Sequence, residues 1–289
     1  MLLSIIVPIG NFALNFNNLK KIINDSYNMN TEYVFVLDTN EINAFQKMHE
    51  LCEKYLESNY KILQCEDRNP GSSRNLGISS CSGEWILFCD CDDFPFLTNI
   101  MSSLAKVDFD SQILIGSFEV ENINSMNRKT IDLQINTNKK WEAIASDPGI
   151  WRWIIKRNLI SKIKFPNLSL GEDQYYLIKI LALEPTIEFT NEVFYRYRVG
   201  TDNSLTGSRD KIIDLVSVIR LELALETFPK KYRTLKNLLV LRQIITLFIN
   251  GSFLQKLQAL KFLAKLTFSI SVAEYKSCIK FIYYVLRNI

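Results

Sequence analysis

The chain has 289 residues, enough for a core several layers thick. Hydrophobic residues make up 47% and charged residues 22%, which excludes a disordered chain. The formal net charge is +3, yet from Lys230 onward eleven Lys and Arg face the single acid Glu274, so a basic end follows an acidic body. Such an end suits an anionic surface such as phospholipid, or equally a solvated pair of basic helices. The six cysteines form no C-x-x-C pair and read as buried reduced thiols, not as a zinc site or disulfide framework. His49 lies in a charged helical stretch, so it is expected at the surface and histidine-based catalysis is not expected. The N-terminal residues carry no signal-peptide pattern, and no apolar run is long enough for a transmembrane helix.

The elements alternate. Leu2 to Val7 is a short apolar run read as a buried strand. A helix is expected around Asn18 to Ile23, then a strand over Tyr33 to Leu37 that ends at Asp38. Glu41 to Leu56 places Ile42, Phe45, Met48, Leu51, Cys52 and Tyr55 at helical spacing. Lys61 to Gln64 is a third strand, Ser72 to Ser79 a helix opened by Pro70-Gly71, and Glu84 to Cys89 a fourth strand ending at Asp90. Strands and helices at this pace imply an α/β fold with a parallel sheet, whose ligands bind beyond the carboxyl ends of the strands. Three such ends carry candidates: Pro8 to Asn11, Asp38, and Asp90 to Asp93. Ile113 to Glu121 and Lys129 to Ile135 read as strands paired around a polar turn. A helix over Gly171 to Leu183 follows, then strands near Thr186 to Phe189 and Val193 to Arg198. From Lys211 the pattern is helical.

Asp90-Cys91-Asp92-Asp93 puts three carboxyl groups in four positions. They repel one another, and a strand seldom ends so without a cation or several backbone donors. Carboxylate oxygens suit Mg²⁺ or Mn²⁺, which bind through one or two carboxylates plus phosphate oxygens. The alternative is an exposed acidic turn. Arg74, in the first turn of a helix, opposes the helix dipole, so it needs an anionic or carbonyl partner. Glu172 and Asp173 after Gly171 are either plain caps or, beside a metal site, candidates for a general base. Arg196 and Arg198 alternate onto one strand face and could neutralise a diphosphate.

Together these segments resemble the family 2 glycosyltransferases with the GT-A fold. The match runs in order over roughly residues 1 to 205: Ser4 to Pro8, Asp38, Ser73 to Gly77, Gly83 to Ile86, Asp90 to Asp93, Trp151, Gly171 to Asp173, and Tyr195 to Ser204. The resemblance implies a nucleotide-sugar pocket lined by Pro8, Asn11, Asp38, Arg74, Asn75, Asp90, Cys91, Trp151, Arg198 and Ser204. Within it Asp38 would lie near the base, Asp90 near the ribose, Trp151 on the acceptor side, and Arg198 and Ser204 over the diphosphate. It implies that Asp92, with Asp93 in support, holds a divalent Mn²⁺ or Mg²⁺ ion. It implies Asp173, with Glu172 beside it, as the base of an inverting transfer. Two segments depart from the family pattern: Gly10-Asn11 where Tyr-Asn is usual, and Asp38 to Glu41 where paired acids and Gly-Ser are usual.

The resemblance implies a catalytic domain over 1–205, with a nucleotide-binding half over 1–110 and an acceptor half over 111–205. A helical, basic extension occupies 206–289. The implied partners are a nucleotide-sugar donor, UDP-linked by default, and a glycan or lipid-linked acceptor, with no nucleic acid. Gln255 to Phe268 places Leu257, Leu260, Leu263 and Ala264 on one stripe, which suits a helix on an anionic membrane or one packed on the catalytic domain. A cytoplasmic enzyme, peripheral at the inner face of the membrane, is the expectation. Two competing readings are a sugar-nucleotide nucleotidyltransferase and a non-catalytic binding module. The first needs a glycine-rich basic loop after the first strand, and Pro8 to Phe12 has one glycine and no lysine.

Overall fold

In the computed structural model, which describes residues 2–25, 30–56, 59–133, 140–200, 212–225, 227–269 and 278–282, the first half of the chain builds four parallel strands. They are β1 (Leu3–Ile9), β2 (Thr31–Leu37), β3 (Tyr60–Gln64) and β4 (Trp85–Phe88), joined by α1 (Phe12–Asp25), α2 (Ala44–Tyr55) and α3 (Pro70–Ser80). β1, β2 and β4 are buried almost throughout, which is why they read as unbroken apolar runs rather than alternating ones. The spatial order is β3-β2-β1-β4. The chain therefore leaves β1 to one side and returns to its other side, and the carboxyl ends of β1 and β4 flank a switch point.

Beyond β4 the sheet becomes mixed. β5 (Phe94–Pro95) leads into α4 (Leu97–Leu104), and β6 (Ile113–Asn122) turns back into β7 (Arg128–Ile131). β8 (Trp153–Lys156) lies antiparallel between β4 and β6 and ends in α6 (Arg157–Ile160). β9 (Ile187–Val199) runs parallel to β6 and pairs with β5 on its other edge. The two strands expected over 186–198 are thus one. The β6–β9 register slips around Gly116, where an added Cβ would lie 2.3 Å from the Phe194 ring. The expected strand residues 134 and 135 lie outside the described residues.

These strands, with α1 to α4 and α6, form one compact unit over 1–133, 150–167 and 185–202. Its core includes Ile5, Val7, Phe35, Leu37, Leu87 and Phe118, all fully buried. At the amino end of the sheet, buried Glu32 accepts from Ser4 Oγ (2.5 Å), Gly83 N (3.1 Å) and Ser82 N. Burial pushes its carboxyl up, but these hydrogen bonds outweigh burial and hold it below the usual carboxylate range.

The second compact unit, over 134–149, 168–184 and 203–289, contains α5 (Lys140–Ser146), α7 (Glu172–Leu181), α8 (Ile212–Leu223), α9 (Arg233–Asn250) and α10 (Phe253–Ser269). α9 buries Leu238, Leu239, Val240 and Leu241 in succession, the pattern of a central helix. Two of the basic residues work internally. Lys236 Nζ donates to Leu225 O (3.0 Å), and Arg242 Nη1 donates to the last carbonyls of α5, those of Ala145 (3.3 Å) and Ser146. A buried polar chain links three helices: Gln243 Nε2 donates to Glu222 Oε1 (2.9 Å) and to Gln174 Oε1 (3.2 Å). Burial raises the Glu222 carboxyl to about 8, against the Gln243 hydrogen bond and the Lys236 charge. No helix among the described residues is long and apolar enough to cross a membrane.

Two stability predictions follow from the buried carboxyls. Glu32 contributes stability that is present above the unfolded carboxylate pKa and lost as pH falls through its lower folded value. Glu32→Ala, which takes the acceptor from Ser82 N and Ser4 Oγ while Gly83 N keeps Ser4 Oγ (2.7 Å), should cost about 2 kcal/mol in urea unfolding at pH 7. Glu222 has the opposite sign. Its contribution is complete below the unfolded pKa and lost as pH rises towards 8. The thermal midpoint of Glu222→Gln should therefore gain on the parent between pH 5 and pH 8 and hold its lead above; parallel profiles would reject this.

Candidate active site

The candidate site starts where β4 runs out. Cys89 N still donates to Ile6 O (2.9 Å), continuing the ladder to β1. One residue later the chain turns: Asp90 N donates to the Tyr195 hydroxyl (2.9 Å), and Asp93 N closes back on Asp90 O (3.1 Å). This turn carries all three acids at the switch-point end of the sheet.

The acids differ in setting. Asp90, whose side chain is 35% exposed, meets Arg74 Nη2 at 3.0 Å. Arg74 is buried, with its guanidinium 5.5 Å from the Phe165 ring centre, so the anionic partner demanded by its place in α3 is Asp90. Asp92 is half-buried, and burial with the Asp90 charge pushes its carboxyl up to about 6. Asp93 is 1% exposed; its Oδ1 accepts from Arg198 N (2.7 Å). Burial, then Asp92 and Asp90, hold Asp93 well above the usual carboxylate range. Burial likewise raises the Cys91 thiol, reinforced by the same acids.

The remaining sequence candidates take varied positions. Pro8 sits in β1 opposite Val36, and exposed Asn11 caps α1, its Oδ1 accepting from Leu14 N (3.1 Å). Asp38 is buried, accepting from Arg68 N (2.7 Å) and Ser73 Oγ (3.2 Å), so it braces the segment that enters α3. Asn75 uses its amide on both backbone groups of Phe165. Trp151 lies in a three-residue 3-10 turn (Ile150–Arg152), stacked on Tyr195 (4.6 Å) and Tyr197 (5.5 Å). Arg198 directs its guanidinium to Asn18 Oδ1 (2.9 Å), Asp92 O (3.1 Å) and Glu121 (3.4 Å). Ser204 lies outside the described residues.

Glu172 and Asp173 open α7 in the helical unit. Gly171 precedes them with φ +81°, and an added Cβ there would sit 3.1 Å from Leu215 of α8, so glycine is needed both for the turn and for the packing. Glu172 is buried and Asp173 half-buried.

Three contributors were missed from sequence. Tyr195 holds Asp90 N, and Asn18 of α1 reaches the same turn from 73 residues away. Glu41 caps α1 from the loop after β2, its two oxygens accepting from Phe12 N (2.7 Å) and Ala13 N (2.8 Å). These are contacts between segments far apart in the chain, with no local signal. Asn69 is different: it caps α3 directly before Pro70, a pattern visible in the sequence.

Among the described residues no three His, Cys, Asp or Glu side chains form a ready-made metal cage. A half-exposed Asp92 backed by a buried Asp93 suits a hard cation that takes its other ligands from phosphate oxygens and water.

Residues 4–170 match the model of glycosyl transferase family 2. The glycosyltransferase GlyA of Streptococcus pneumoniae is 26% identical over 68% of this chain, which spans only 30% of GlyA's length. GlyG of the same organism is 23% identical over 75% of this chain and 78% of its own. In fold, the chain is similar to S. aureus TarS 1-349 in complex with UDP-GlcNAc (TM-score 0.68, 18% identity, 95% of this chain and 83% of that one). It is also similar to the mannosyltransferase PcManGT from Pyrobaculum calidifontis, in complex with GDP-Man and Mn²⁺ (TM-score 0.64, 13% identity, 98% and 80%). With its family match, its acid-bearing turn at the switch point and its GT-A fold, the chain belongs to glycosyl transferase family 2.

Proposed function

We propose that this chain moves a sugar from a nucleoside diphosphate donor, UDP-linked by default, to a hydroxyl of a glycan or lipid-linked saccharide, with inversion. The observation that carries the reading is the Asp90–Asp93 turn: burial and Asp90 hold Asp92 near 6, a strain that a divalent cation relieves. The donors bound by the similar TarS and PcManGT structures, UDP-GlcNAc and GDP-Man, and the Mn²⁺ of the latter support it.

Asp92 would hold the cation, with Asp93 in support. Asp90, fixed by Arg74, faces the ribose. When bound, the cation supplies positive charge that stabilises the departing diphosphate. By the family resemblance Asp173 takes the proton of the acceptor hydroxyl, with Glu172 beside it. The acceptor oxygen bonds the anomeric carbon while the bond from that carbon to the diphosphate oxygen breaks, and the nucleoside diphosphate leaves.

The outward face of α10 supports a peripheral membrane role at the inner face of the cell membrane. Phe253, Leu254, Leu257 and Leu260 are 42–75% exposed, and Lys261 and Lys265 share that exposed side. A helix with this face binds where acyl chains and anionic headgroups meet.

Asp92→Asn and Asp173→Asn should each lower turnover by roughly 10²–10⁴-fold, read as nucleoside diphosphate release, with unchanged circular dichroism. Chelation should stop transfer and Mn²⁺ restore it. Activity that survives both substitutions rejects the mechanism. For the membrane reading, sedimentation with phosphatidylglycerol vesicles should exceed that with phosphatidylcholine, weaken in high salt, and drop in Leu257→Asp. Equal recovery with both lipids would argue against it.

A further inference from the structure

The Asp90–Asp93 turn is held from behind by two side chains that meet each other. Asn18, midway along α1, donates from Nδ2 to Cys91 O (2.9 Å) and Asp93 O (2.8 Å). Arg198, near the end of β9, donates from Nη1 to Asp92 O (3.1 Å) and to Asn18 Oδ1 (2.9 Å). Its backbone N–H donates to Asp93 Oδ1 (2.7 Å). Three consecutive carbonyls of the turn are therefore held, and Asn18 uses both ends of its amide to do it. Behind the clamp, Arg198 Nε lies 3.4 Å from Glu121 Oε2, and Glu121 Oε1 accepts from Arg128 Nε at 2.7 Å.

A turn with three acids has a strong electrostatic reason to rearrange. Rotating one peptide would swing a carbonyl towards the carboxyl groups and re-aim the Asp92 side chain. Holding all three carbonyls on one side leaves one arrangement of the turn. We infer that Asn18 and Arg198 are positioning residues that set the aim of the Asp92 carboxyl towards the cation and donor diphosphate. Neither needs to touch either group. Arg198 is suited to this by its planar fork, which reaches an amide, a carbonyl and a carboxylate at once; a lysine ammonium is a point charge and lacks that fork. The clamp borders a surface cleft of about 210 Å³ that also includes Lys21, Phe94 and Arg128. Water can therefore enter beside a shortened side chain, so truncation need not unfold the protein.

The inference rests on the proposed role of Asp92. The test is a titration of the full chain with Mn²⁺, following free Mn²⁺ by electron paramagnetic resonance, with UDP and with GDP in separate runs. Outer-shell partners of metal ligands typically contribute 10–100-fold in affinity. Asn18→Ala, Asn18→Asp and Arg198→Lys should each weaken Mn²⁺ binding roughly tenfold at a temperature where all are folded. Asn18→Asp keeps an acceptor for Arg198 but loses both donors, so it should be no better than alanine. The double variant Asn18→Ala, Arg198→Lys should lose less than the product of the single losses, because both act on one turn. A purely structural role would lower the melting temperature and leave Mn²⁺ affinity in the folded protein unchanged. If Asp92→Asn abolishes binding while folded Asn18→Ala and Arg198→Lys bind normally, the clamp is overturned and the reading of Asp92 stands. If Asp92→Asn binds Mn²⁺ as the parent does, the reading beneath it fails. Should Asn18→Ala not fold, Arg198→Lys decides.

Discussion

The constraint on which the site depends is the mutual repulsion of three carboxyl groups in one tight turn at the end of a buried strand. Left alone, such a turn would open towards water. Here it is held by contacts from three separate segments: α1, α3 and the last residues of β9. The acids are graded. Asp90 is partly exposed and neutralised by Arg74. Asp92 is half-buried, and burial with the Asp90 charge raises its carboxyl. Asp93 is sealed beneath Arg198 N. Each setting gives its carboxyl a different task, although in the sequence they are near-identical neighbours.

The β9 strand couples this turn to the rest of its unit. Alternation sends Tyr195 and Tyr197 to one face and Arg196 and Arg198 to the other. On the first face, Tyr195 and Tyr197 stack on Trp151, and the Tyr195 hydroxyl accepts from Asp90 N. On the second, Arg196 and Arg198 pair with Glu119 and Glu121, their register partners on β6. One strand thus supplies both an aromatic wall and a polar brace. The Tyr195 hydroxyl is buried among Asp90, Asp93 and Cys89, and burial first, then Asp93, keeps its phenol protonated well past its ordinary value. It remains a neutral hydrogen-bonding group across the working pH range.

Much of the parallel half was legible in the sequence because β1, β2 and β4 are buried on both faces and α1 and α2 are amphipathic. The expected limits of β2, β3 and β4 differ from those observed by no more than two residues. α2 shows where local pattern fails. Ile42 fits the apolar spacing yet is 87% exposed, because Asn43 takes φ +64° and the helix begins only at Ala44. Glu41 is meanwhile drawn away to cap α1. β8 was not read as a strand, since Trp153, Ile154 and Ile155 make too short an apolar run to carry a period. At the site, residue types and strand ends were readable, but partners were not. Asp38 and Asn75 were expected against a nucleotide; their contacts brace the entry to α3 and the backbone of Phe165. Side chains that hold a loop and side chains that hold a ligand draw on the same residue types.

The basic end illustrates how a charge count should be weighed. Eleven cations against one acid look like a single surface. Yet Lys236 and Arg242 are used up on carbonyls within the helical unit, and Lys236 is held below its ordinary pKa by burial, partly offset by Glu222. They contribute packing and helix capping rather than a field at the surface. The part of the basic end that can meet an anionic surface is therefore smaller than the count, and in α10 it is set beside exposed leucine and phenylalanine rather than spread evenly. Attraction to a membrane through such a helix depends on both kinds of residue. Charge brings the surface near and is screened by salt, whereas apolar side chains hold it once acyl chains are reached. It is the coincidence of Phe253, Leu254, Leu257 and Leu260 with Lys261 and Lys265 on one face, more than the net charge, that gives the peripheral reading its physical content.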